Sequence, residues 1–98
     1  MTTYVTLIKL SGQSMKDIGN FGKTYEEGVK AGQKMGIKPV GAYATLGPYD
    51  AMFIYEAPDE KAAAAMVLSI VARQGGETET WTAIPMADFT KLTSRIKC

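Results

Sequence analysis

Residues 40–56 read V-G-A-Y-A-T-L (Val40–Leu46), then Gly47-Pro48-Tyr49, then D-A-M-F-I-Y-E (Asp50–Glu56). Two runs rich in β-branched and aromatic residues, broken by Gly and Pro, predict an antiparallel hairpin with strands over about 40–46 and 50–56. Gly tolerates positive φ and Pro pre-sets φ near about −65°. The turn should therefore hold the Tyr49 phenol and the Asp50 carboxylate in fixed directions at the hairpin mouth.

The flanking chain builds a fold around this hairpin. Upstream, Y-V-T-L-I-K-L over 4–10 has strand composition and closes at Ser11-Gly12. Between the two, Ile18, Phe21, Tyr25 and Val29 recur every three or four residues. With Lys16, Lys23, Glu26, Glu27, Lys30 and Lys34 mostly on the other side and Gly36 as a stop, they predict a helix over about 15–35. Downstream, Asp59 and Glu60 suit a helix start. Ala63, Met66, Val67, Ile70 and Val71 mark the inward stripe of a helix over about 59–73 that stops at Gly75-Gly76. T-E-T-W-T-A-I over 78–84 is a last strand, and Phe89, Leu92 and Ile96 share a face of a short helix over about 87–96.

Strand, helix, strand, strand, helix, strand is the order of two strand-helix-strand units. It predicts a ferredoxin-like α+β domain, residues 1–98, with a four-stranded antiparallel sheet and both helices on one face. Gly28 and Gly32, four apart, are expected to face Ala62 to Ala65 in a close helix contact. The strands are apolar on both faces: Tyr4, Thr6 and Ile8 alternate with Val5 and Leu7, and Phe53 and Tyr55 with Met52 and Ile54. Two helices cover only one face, so a second copy is expected on the other.

Composition narrows the function. The 98 residues carry 11 basic and 10 acidic side chains, a net charge of +1. No single-sign field exists to attract nucleic acid or an anionic membrane. There is no histidine and one cysteine, Cys98. The commonest general base and metal ligand is thus missing, and neither an intrachain disulfide nor a Cys-rich metal site can form. No phosphate-binding glycine loop or nucleophile motif occurs, so no metal and no cofactor is expected. The first residues lack a basic n-region, and no apolar run is long enough to span a membrane, which predicts a cytoplasmic protein.

Two sets of residues are candidates for a site. Tyr49 and Asp50 can form a proton-transfer pair, or can serve the turn alone, with Asp50 accepting backbone N–H bonds and Tyr49 packing on the hairpin. Tyr4, Thr6, Tyr43, Thr45 and Trp81 can line an apolar ligand cavity on the free sheet face, or can be the core of a dimer.

The T-Y-V-T-L opening, the G-P-Y-D turn, Ala57-Pro58-Asp59 and Thr78-Glu79-Thr80 together resemble the GYD domain family. The family's Gly-Tyr-Asp signature would be Gly47, Tyr49 and Asp50, with Pro48 between. Two places depart from its usual pattern, Phe21-Gly22-Lys23 and Trp81. The resemblance implies an assembly of the dimeric α+β barrel type, in which subunits meet sheet to sheet around a small cavity. The expected function is a homo-oligomeric module, with itself as partner and a small molecule as candidate ligand. The alternative is a cofactor-independent enzyme acting on a small carbonyl or aromatic compound.

Overall fold

A computed structural model describes residues 1–12, 16 and 18–96 of the chain. Strand β1 spans Thr2–Lys9, helix α1 Phe21–Lys34, β2 Lys38–Ala44, β3 Ala51–Ala57, α2 Glu60–Gln74, β4 Glu77–Ala83 and α3 Met86–Thr93. The sheet order is β2-β3-β1-β4, and every neighbouring pair is antiparallel. This is the ferredoxin-like arrangement that the element order predicts.

Register decides which residues share a face. Tyr4 pairs with Tyr55 and Thr82, and Thr6 with Phe53 and Thr80. These rows face the helices. Tyr4, Phe53, Tyr55 and Ala57 form one buried cluster with Ile37 and with Ala63 and Met66 of α2. The rings of Tyr4 and Tyr55 stack at 5.8 Å, and that of Phe53 lies tilted 5.1 Å from Tyr55. A buried phenol needs a partner, and Tyr55 finds one in Thr6 Oγ1 at 2.9 Å, which in turn meets Thr80 Oγ1 at 3.0 Å. Burial pushes the Tyr55 phenol up from its ordinary pKa.

Local chemistry sets the helix ends. Asp59 is the N-cap of α2, its carboxylate accepting from Ala62 N–H at 2.9 Å, so Pro58 lies just before the helix and not in its first turn. At the other end Gly75 N–H returns to the Val71 carbonyl at 2.7 Å. Next to it Gly76 has φ +92°, and a Cβ there would stand 2.4 Å from the Lys9 carbonyl oxygen. Only glycine lets the chain pass so close to β1. After α1, Gly36 takes φ +84°, and the N–H groups of Met35 and Ile37 both bond the Gly32 carbonyl at 2.9 Å. That reversal drops Ile37 into the core at 4 % exposure.

The first helix differs from expectation in two ways. Its long run Phe21–Lys34 follows a 3-10 turn at Ile18–Asn20 that interrupts the expected span, and Lys16 ahead of that turn is also helical. The expected start at Met15 lies outside the described residues, as does Cys98. Gly19 and Gly22 weaken helix propensity at this end by roughly 1 kcal/mol each. Nor do Gly28 and Gly32 meet the alanines of α2. A Cβ on Gly28 would find nothing within 4 Å, and one on Gly32 would meet Ile37 at 3.4 Å. Gly32 serves the turn after the helix, and Gly28 faces open space.

The tail helix stands away from the rest. None of its residues is buried, and its contact with the other described elements is marginal. The radius of gyration is 15.2 Å, against roughly 12.6 Å for a compact domain of this length.

Candidate functional site

The sheet face opposite the helices carries two cross-strand rows. Register aligns Glu79, Leu7, Met52 and Tyr43 in one row, and Trp81, Val5, Ile54 and Gly41 in the other. Tyr43 and Trp81 are 57 % and 51 % exposed. The Tyr43 ring lies over Gly41, where an added Cβ would come within 3.2 Å of it.

Glu79 is the lone carboxylate in this pair of rows, and two aromatic side chains hold it. The Tyr49 hydroxyl donates to Oε2, and the Trp81 indole N–H donates to Oε1 at 2.9 Å. The hydrogen bond from Tyr49, then that from Trp81, keeps the Glu79 carboxyl below its ordinary pKa. The same bond to Glu79 keeps the Tyr49 phenol above its own. A carboxylate made less basic and a phenol made less acidic are poorly matched to proton transfer near neutral pH. The trio instead fixes two aromatic rings in orientation beside an apolar surface.

The sequence-based candidates separate. Tyr49 and Asp50 do not pair: the Asp50 carboxylate accepts from Leu10 N–H at 2.8 Å, while Tyr49 reaches to β4. Asp50 also joins the loop to β1 through its own N–H, which bonds the Ile8 carbonyl at 2.8 Å. Tyr4 and Thr6 lie on the helix side, at 5 % and 0 % exposure, and so cannot line the free face. Alternation puts them on one face but not on a chosen one, because the other set is equally apolar. Thr45 follows β2, and its hydroxyl donates to the Tyr49 carbonyl at 2.6 Å. Of the five cavity candidates, Tyr43 and Trp81 remain on the open face. Glu79 is the residue that sequence reasoning missed. The alternation E-T-E-T-W-T-A puts it beside Trp81, and a carboxylate on an apolar face signals a partner.

The GYD domain model matches residues 4–93. The chain belongs to the GYD domain family. It is 32% identical over 98 residues to a Thermus thermophilus protein named glutamine synthetase and cystathionine beta-lyase binding protein, covering 99% of this chain and 100% of that one. A crystallised Thermus thermophilus protein superposes with a TM-score of 0.55 at 22% identity, covering 86% of this chain and 94% of that one. A hypothetical protein from Pyrococcus horikoshii gives 0.52 at 17% identity, covering 86% and 90%. These two likenesses concern the fold.

In this GYD chain the turn at Gly47, Pro48, Tyr49 and Asp50 makes structural contacts. Its Asp50 secures β1, and its Tyr49 braces β4. Among the described residues no group of three or more His, Cys, Asp or Glu could hold a metal ion. No described helix is long and apolar enough to cross a membrane.

Proposed function

We propose that this GYD protein is a non-catalytic, homo-oligomeric binding module whose copies meet through the open sheet face, with α3 reaching onto the neighbour. One observation carries the reading: the same chain exposes an apolar sheet face, with Tyr43 and Trp81 at its surface, and a helix detached from its own body with Phe89 and Leu92 46 % and 48 % exposed. Small domains gain stability by covering such surface. Rings held by a hydrogen bond, as Trp81 is by Glu79, lose little entropy on contact and suit the centre of an interface. The assembled module would then present its helices outward to other proteins. Its relative's name makes glutamine synthetase and cystathionine beta-lyase the first partners to try.

Light scattering at micromolar concentration tests the assembly. At least a dimer is expected, and Trp81→Arg should shift it to a folded monomer by placing charge in the contact. A parent protein that is monomeric throughout, or a Trp81→Arg variant that assembles as the parent does, overturns the reading.

A further inference from the structure

Between α1, α2 and the ends of β1, β2 and β3 lies a cavity of about 480 Å³. Phe21 and Tyr25 of α1, Phe53 of β3, and Met66 and Ile70 of α2 supply apolar wall. An amphipathic helix normally presses its apolar stripe into the core, yet the buried residue of α1 is Gly32 alone. Phe21 and Tyr25 instead remain 36 % and 40 % exposed, their rings stacked 6.5 Å apart. The volume is that of a small-molecule site.

The polar groups in the wall are unequally satisfied. Asp50 already accepts from Leu10 N–H, and the Ser69 hydroxyl donates to the Ala65 carbonyl at 2.9 Å. Arg73 is the cation among the described lining residues. Its described ion-pair partner, Glu27, is 3.9 Å away, beyond hydrogen-bond reach. A guanidinium offers several donors in a planar fork that matches a carboxylate. We propose that this cavity binds an amphiphilic monocarboxylate, its alkyl or aryl body against Phe21, Tyr25 and Ile70 and its carboxylate on Arg73. Arg73 and the walls from α1 and α2 lie on the helix side of the sheet, while Tyr43 of β2 borders both this cavity and the open face.

Gly28 supplies a clean block. It lines the cavity, and a Cβ on it meets nothing within 4 Å, so Gly28→Leu should fill the space without a clash. Decanoate and 1-decanol, each below its self-association concentration, would be titrated calorimetrically into the full-length protein. Decanoate should bind one per chain and raise Tm, and 1-decanol should bind about tenfold more weakly, because it lacks the charge-assisted bonds. Arg73→Gln should bring decanoate down to the level of the alcohol while leaving the alcohol unchanged. Gly28→Leu should abolish both. Should that variant not fold, Ile70→Phe narrows the same space from α2 and takes its place. Absence of decanoate binding, binding that survives the blocking variant, or an undiminished preference for acid over alcohol in Arg73→Gln would each overturn the proposal.

Discussion

The Tyr49 phenol donates to Glu79, thirty residues downstream, and not to Asp50, its neighbour in the chain. Because β1 lies between β3 and β4 in the sheet, the loop after β2 is held at two points. Asp50 fastens it to the end of β1, and Tyr49 reaches past β1 to β4. The turn between β2 and β3 is thus tied to both β1 and β4 at one end of the sheet. Such a brace keeps the Tyr49 and Trp81 rings in one geometry beside the open face.

If Asp50 acts through its bond to Leu10 N–H, the acceptor oxygen matters more than the charge. Asp50→Asn, which retains an acceptor, should lie within about 1 kcal/mol of the parent in chemical denaturation, and Asp50→Ala should lose about 1–2 kcal/mol. Identical losses in the two variants would show that the bond to Leu10 is not what Asp50 contributes.

The brace also predicts a pH dependence. Glu79 is held below its ordinary value near 4.5, so its contribution is present above that value and is lost as pH falls through the lower folded value. Tyr49 is held above its ordinary value of 10.0, so its contribution is present below that value and fades as pH rises through the higher folded one. Glu79→Gln should flatten the acid limb of a Tm-against-pH curve. Tyr49→Phe should shrink the acid loss, because Glu79 then returns toward its ordinary value, and should reduce, without abolishing, the alkaline loss, since the buried Tyr55 phenol is raised as well. An acid limb unaltered by Glu79→Gln would remove Glu79 from the account.

Two glycines should respond in opposite directions. Gly28→Ala enters open space and gains helix propensity, so it should stabilise by about 1 kcal/mol. Gly76→Ala combines a φ of +92° with a Cβ 2.4 Å from the Lys9 carbonyl oxygen, and should destabilise by about 2 kcal/mol or more. Denaturant midpoints would decide both, and a gain at Gly76 would contradict the close approach to β1.

These cases mark where the sequence is legible. The hairpin and the second helix could be read because their signals are local: Gly-Pro in the loop, the Asp59 cap and Gly75-Gly76 at the stop. The first helix misled because glycine spacing resembles a packing motif whatever surrounds it, and only the fold shows Gly32 under Ile37. The placement of Tyr4 and Thr6 was ambiguous for a related reason. Both faces of β1 are apolar, so period two alone cannot choose a side. The Tyr49–Glu79 bond joins residues on a loop and a distant strand, and it becomes visible only once β1 is known to separate β3 from β4.

The tail helix gives the sharpest test of assembly. No residue of α3 is buried within its own chain, so deleting residues 86–98 should leave the four-stranded body folded and its isolated-subunit stability nearly unchanged. Across an interface α3 and the residues just after it have more to lose. Phe89, Leu92 and Ile96 are 46 %, 48 % and 66 % exposed, and burying what remains of each would contribute on the order of 1 kcal/mol apiece. Loss of about 3 kcal/mol corresponds to roughly a hundredfold weaker association. Sedimentation across a concentration series should therefore show the truncated chain dissociating at concentrations where the parent remains assembled, with an unchanged strand signal in circular dichroism. Equal dissociation constants for the two chains would mean that α3 does not reach a second copy, and self-association would then rest on the sheet face alone.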